Sequence, residues 1–242
     1  CLLLLGAARV ETPGSNAFLK ALEDWPEARA LDHREVLIGP LAPEAARKLA
    51  AQWLAGDTSP RAEAVARESG GNPLFVLELA RAVNSGAGPA TTSGANLGLD
   101  DVLWARVTRL PEEARRLLEV IAIAGRPISP AIARECLDQT GDERAMLAVL
   151  RAGRLVRTVG APGHGEGDPW VEPYHDRIRE TIVGRIGEVE ARRHHHRLAL
   201  ALEATGGADP EDLAVHFAGA GETQRAAVHY AQAAARAAGA LA

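Results

Sequence analysis

From Pro43 almost to its end, the chain repeats apolar residues at helical spacing and breaks them with capping residues, prolines and glycines. That period belongs to amphipathic helices, and the punctuation marks where each one starts and stops. The expected fold class is therefore mainly α. The packing material is small: aromatics are 4% of the 242 residues, while hydrophobics are 47%. The core must rest on Ala, Leu, Val and Ile, and alanine faces let helices pack closely.

Pro43–Leu54 places Ala46, Leu49, Ala50 and Trp53 on one face, with proline in the first turn. Ser59-Pro60 opens Arg61–Glu68, which Gly70-Gly71 stops. Asn72-Pro73 caps and starts the next helix, whose apolar stripe reads Leu74, Leu77, Ala80 and Val83. Residues 85–98, rich in Gly, Ala, Ser and Thr without periodicity, form a linker. Helices follow over Leu99–Arg109, Glu112–Ala124, Pro130–Leu137 and Asp142–Ala152. Two short strands, Arg154–Val159 and Trp170–Glu172, flank a Gly- and Pro-rich loop, and a helix from His175 to Ile186 stacks Ile178, Ile182 and Ile186. Helix, helix, helix, hairpin is the winged-helix order. The tail is alanine-dominated helix: to about Ala204, then Glu211–Ala218 and Thr223–Ala238. Close-packing helix pairs of this kind build repeat arrays.

Two stretches depart from the helical period. Cys1–Ala7 is a continuous apolar run whose length suits a strand buried on both faces of a parallel sheet. Its sheet partners would lie upstream, and a chain that starts at Cys1 without Met reads as a cut through such a sheet. Val36–Ile38 is a second β-like piece, closing before Gly39-Pro40.

A net charge of −5, from 27 Lys+Arg and 32 Asp+Glu, excludes a generally basic nucleic-acid coat and an acidic disordered tail. No apolar run is long enough for a membrane span. Two cysteines, Cys1 and Cys136, make neither a disulfide framework nor a zinc site, and read as reduced thiols of a cytoplasmic protein.

No G-x-x-x-x-G-K-[ST] phosphate loop or G-x-G-x-x-G fingerprint occurs, nor a strand-end acid to hold Mg²⁺, so the chain has no complete site for ATP hydrolysis. No Ser/His/Asp or Cys/His constellation offers a nucleophile. Three positions could meet a phosphate or a base. Arg9 follows the buried strand, where open α/β sheets bind ligands. Gly71-Asn72-Pro73 is a tight turn feeding a helix N-terminus, and otherwise a plain helix cap. His175 stands at a helix start, where the dipole favours an anion; the alternative is a capping Asp176 beside a surface histidine. His194-His195-His196 is expected on a solvated helix face, since consecutive helical residues point about 100° apart and cannot converge on one ion. Arg144, Arg151, Arg154 and Arg157 give the third winged-helix helix a modest basic edge, insufficient for reading DNA in a negative chain.

The order of these pieces resembles the carboxyl half of the nucleotide-binding module of STAND-type signal-transduction ATPases. The carriers are Leu2–Arg9 as a strand ending in Arg, Leu37–Leu41 leading into a helical lid, and Gly71-Asn72-Pro73. Tyr-His-Asp-Arg-Ile-Arg-Glu at 174–180 is similar to the winged-helix Met-His-Asp motif. Ala-Val-His-Phe-Ala-Gly-Ala-Gly and Ala-Val-His-Tyr-Ala-Gln-Ala-Ala within the tail resemble the start of a tetratricopeptide array. The likeness is to bacterial multidomain serine/threonine protein kinases carrying such a module, with maltose-regulon-type transcriptional activators sharing the same middle. Tyr174 stands where the motif has Met, and Ala8 where Ser or Thr is common.

The resemblance implies the end of an α/β nucleotide-binding domain over residues 1–41 and a lid over 42–84. It implies a linker over 85–98, a winged helix over 99–186, and helical repeats beginning within 187–242. It implies ATP or ADP as ligand, with Mg²⁺ held outside this chain. Arg9 would be the sensor of the γ-phosphate, Pro73 would pack on the adenine, and His175 would contact the ADP β-phosphate. Protein partners would bind the repeats, and nucleotide exchange would permit self-association. The rival reading is a non-enzymatic helical scaffold, or a winged-helix regulator, with a degenerate nucleotide site.

Overall fold

A computed structural model describes residues 36–54, 60–84, 98–137, 142–160 and 169–240. The chain divides into two compact units, Cys1–Pro40 and Leu41–Ala242. Every element below belongs to the second unit, which is mainly helical: eleven helices and one two-stranded sheet among the described residues.

Three helices come first: α1 (Pro43–Trp53), α2 (Pro60–Glu68) and α3 (Pro73–Asn84). Each begins with proline, whose missing N–H falls where a helix has no acceptor for it. Gly70 (φ +57°) and Gly71 (φ +78°) turn the chain from α2 to α3 through two successive left-handed residues, a conformation open to glycine at little cost. Leu41 N–H donates to the Gly71 carbonyl at 2.9 Å and ties the start of the unit to that turn. α3 packs against α1, α2 and the next helix, α4 (Leu99–Thr108). With neighbours on three sides it buries a broad face, Phe75, Val76, Leu79, Ala80 and Ala82. The narrow stripe expected from the sequence is thus rotated: Ala80 is buried, but Leu74, Leu77 and Val83 are only partly covered.

The central block continues with α5 (Glu112–Ala124), α6 (Pro130–Glu135) and α7 (Glu143–Ala152). A hairpin of β1 (Val156–Val159) and β2 (Trp170–Pro173) follows, then α8 (Asp176–Val183). The strands pair antiparallel, Val156 opposite Pro173 and Val159 opposite Trp170. Ile128 extends the sheet by exchanging both backbone hydrogen bonds with Val171. α5 is the hub. Leu117 through Ala124 are buried without a break, because α6, α7, α8 and β2 all close around them.

α9 (Glu188–Ala204) lies against α5 and α6 and leads into α10 (Pro210–Gly219) and α11 (Thr223–Ala240). One apolar core runs from Ala46 through the central block to Ala201. A small second core of Ala199, Leu213, Phe217 and Ala226 joins the last three helices. Phe217 stacks on His229 (centroids 5.4 Å, 9° between planes), and the Arg225 guanidinium sits 3.8 Å from the Phe217 centroid.

Some expectations are corrected. Val36–Ile38 form no strand: the segment has no regular structure, and Leu37 and Ile38 are 83% and 89% exposed. A strand needs a ladder partner, and the described residues supply none here. Trp53, expected on the buried face of α1, is 46% exposed beneath the Arg81 guanidinium. Leu99–Arg109 and His175–Ile186 are shorter than read, because Arg109 and Gly184 act as C-caps. Cys1–Ala7, residues 85–97 of the linker and most of the hairpin loop lie outside the described residues. No helix among the described residues is long and apolar enough to cross a membrane.

Candidate functional site

Of the three residues singled out from the sequence, Arg9 lies outside the described residues. The other two positions, Pro73 and His175, stand on adjoining sides of one joint. Asn72 Nδ2 lies 3.1 Å from His175 Nε2, although the residues are 103 apart in sequence. The Phe75 ring meets the His175 ring edge to face, centroids 4.7 Å apart.

Helix capping builds this geometry. The Asn72 carbonyl accepts the first helical bond of α3, from Val76 N–H at 3.0 Å, and Asn72 Oδ1 accepts from Leu74 N–H at 2.9 Å. That side chain is a standard N-cap, and its committed oxygen leaves the amide nitrogen turned outward. His175 is the N-cap of α8: its Nδ1 accepts from Arg177 N–H at 3.2 Å. The sequence alternative of a capping Asp176 is therefore corrected, since the imidazole does the capping and Asp176 is exposed. The N-termini of α3 and α8 thus meet through their capping side chains.

Both helix ends carry unsatisfied N–H groups and a positive dipole end. The first turn of α3 has no acidic residue, whereas that of α8 carries Asp176. Two donors, Asn72 Nδ2 and Arg177 N–H, approach an imidazole that in its neutral form has one lone pair. One of the two donors is therefore left without an acceptor on the ring. Exposed Pro73 and the Phe75 ring add apolar surface beside it.

Three partly buried contacts hold the joint. Asp100, in the first turn of α4, takes a two-pronged pair from Arg177 (Nε 2.8 Å, Nη2 2.9 Å) and a hydrogen bond from Thr181 Oγ1 at 2.8 Å. Glu68, ending α2, accepts Leu99 N–H at 2.9 Å and so caps α4. Arg106 of α4 pairs with buried Glu78 of α3 and also donates to the Gly153 carbonyl at the end of α7. Sequence reasoning missed Asn72 as more than a cap, and missed Phe75 and Asp100 altogether. Only a capping amide three residues ahead of an aromatic hinted that side chains faced a partner there.

The histidine run departs from expectation. The three rings do diverge, as helical geometry demands, but the face is not solvated. His194 is 1% exposed, with Nε2 3.3 Å from the buried Glu119 carboxylate. His195 Nδ1 lies 3.0 Å from His216 Nδ1 on α10. His196 alone is exposed, 2.5 Å from Glu222. α9 is covered on two sides, by α5 and α10, which a single helical pattern does not reveal. Burial and the neighbouring His195 and Arg126 lower the His216 pKa to about 4; burial also lowers that of His195, helped by His194. Among the described residues no three metal-ligating side chains cluster. Cys136 is a buried free thiol, raised to about 12 chiefly by burial, and so is no nucleophile.

Comparison with family models, with curated proteins and with solved structures found no match for the chain.

Proposed function

We propose that the chain is the regulatory part of a nucleotide-gated signalling switch, with α1–α3 as its lid, α4–α8 as its winged-helix block and α9–α11 as the start of a repeat array. The observation that carries this reading is the meeting of Asn72-Pro73 and His175 across the lid joint. Two landmarks singled out for nucleotide contact, far apart in sequence, share one place.

In this reading His175 donates to an ADP phosphate and Pro73 lies against the base. Arg9 senses the terminal phosphate, and Mg²⁺ is held by residues outside this chain. ADP supplies the charge that draws the two helix N-termini together. Asp100 and Glu68 keep α4 and α8 oriented while it is bound. Exchange for ATP favours the arrangement in which the lid and winged-helix block part, by differential affinity for the two states. The parent is a bacterial serine/threonine kinase with an ATPase module, acting in the cytoplasm. The array binds protein partners, and the open state self-associates.

Titrating ADP into the ¹⁵N-labelled chain tests this. Expected are amide shifts concentrated at Gly71–Phe75 and Tyr174–Arg177, weaker in His175→Ala. Unmoved resonances at millimolar ADP would overturn the nucleotide role. They would favour the scaffold reading, which the direct Asn72–His175 contact also suits because it closes the joint with no ligand.

A further inference from the structure

We propose that the outer face of α7, together with Arg154 just past its end, is a docking surface for an acidic amphipathic helix of a partner protein.

α7 buries Met146, Leu147 and Leu150 and packs against α5 and β1. Its other side is open: Arg144, Ala145, Ala148, Val149, Arg151 and Ala152 are all exposed. At about 100° per residue, Arg144 and Arg151 line one edge of this face, Val149 marks the other, and the alanines form a floor between them. The two arginines are two turns apart, about 10.5 Å along the helix. No described carboxylate answers them. Nearby Arg134 and Arg157 pair with Glu143 at 3.7 Å and Glu172 at 2.6 Å, whereas Arg144, Arg151 and Arg154 make no ion pair with a described residue.

Arg154 adds an independent sign of use. α7 ends in a Schellman turn: Leu155 N–H donates to the Leu150 carbonyl and Arg154 N–H to the Arg151 carbonyl, both at 2.9 Å. That turn holds Arg154 in the left-handed region, at φ +51°. The other left-handed positions among the described residues, Gly70, Gly71, Gly125, Gly206 and Gly221, are all glycine. An L side chain is strained there, so the chain keeps a third unpaired guanidinium where glycine would fold better.

A guanidinium takes a carboxylate or a phosphate in a two-pronged pair. A phosphate backbone, however, offers little to Val149 and the alanine floor, and the net charge of −5 opposes a long polyanion. A short helix with carboxylates two turns apart on one edge and aliphatic side chains beside them meets both edges. Alanine lets its backbone come close, and screening beyond about 10 Å leaves the local positive edge to act.

The probe is a fluorescein-labelled peptide of Glu, Ala and Leu, about five turns long, with its glutamates two turns apart on one edge. Titrated onto the full chain, it should bind saturably, and its Gln-for-Glu counterpart about ten-fold more weakly. Arg144→Gln and Arg151→Gln should each weaken binding about five-fold, and Val149→Ser about three-fold. Arg154→Gly should weaken binding about five-fold while raising the folding equilibrium constant in urea about three-fold. No saturable binding, or binding indifferent to the arginines, overturns the proposal. A less stable Arg154→Gly also overturns it, because the guanidinium would then serve the helix end, where the dipole favours a cation. A short DNA duplex bound more tightly than the peptide, and equally well by Val149→Ser, overturns the choice of a protein partner. Self-association of the chain that is lost in Arg144→Gln or Arg151→Gln overturns it too, by giving the face to a second copy.

Discussion

Acid should loosen the joint between α9 and α10 before other parts of the fold, through the His195–His216 pair. The two Nδ1 atoms stand 3.0 Å apart, so one ring donates and the other accepts, and a second proton would put two donors face to face. The groups around them do not help: His194 and Arg126 add positive charge, and Asp212 is engaged by Arg126 at 2.7 Å. His216 is 3% exposed, and its pKa falls from 6.5 to about 4 on folding. A depressed native pKa means the unfolded chain binds the proton first. Stability is therefore intact above about pH 6.5 and drains away as pH falls toward about 4. With those two values the loss attributable to His216 is about 2 kcal/mol at pH 5 and about 3 kcal/mol at pH 4. Urea unfolding of the wild type and of His216→Gln, between pH 7.5 and 5, isolates this from carboxylates that titrate in both. The wild type should lose about 2 kcal/mol more than the variant. Parallel stability profiles, or a His216 titration by NMR near 6.5, would refute the reasoning.

Gly219→Ala places a Cβ 2.5 Å from the His195 ring; overpacking of about 1–3 kcal/mol outweighs the gain of up to about 1 kcal/mol in helix propensity, so the melting temperature should fall. Arg106→Ala strips the close partner of buried Glu78, leaving only Arg81 at 3.6 Å, and should destabilise by about 2 kcal/mol. Replacing both Glu78 and Arg106 by leucine should recover much of that loss in urea unfolding. Cys136 should resist an aromatic disulfide reagent at pH 8 in the native protein and react at once in guanidinium, because its thiol is buried and raised to about 12.

The helix ends were legible because Pro, Gly and short polar caps act locally. Ser129 and Asp142 cap α6 and α7 within one residue of the helix starts expected from the sequence, and Gly125 (φ +73°) ends α5 in the left-handed turn only glycine takes cheaply. What the sequence hid was set by third elements. The stripe on α3 rotated because α4 covers a side that one helix cannot anticipate. The His194 ring is buried because Glu119, in another helix, supplies its partner. The same rule holds at the candidate site: Pro73 and His175 were each visible as helix starts, but the Asn72 amide between them gained meaning only when two helix ends met.

The covalent path from α3 to the central block runs through residues 85–97, yet α1–α3 and that block are also stitched by Glu68 to Leu99, Glu78 to Arg106 and Asn72 to His175. The peptide chain between Asn84 and Gly98 is then one tether among several. Lengthening it should cost only slowly growing closure entropy, about 0.6 kcal/mol per doubling. A chain cleaved within 85–97 should travel as two non-covalently joined fragments, and the pieces expressed separately should find each other. What joins α1–α3 to the central block would be side-chain stitching rather than backbone.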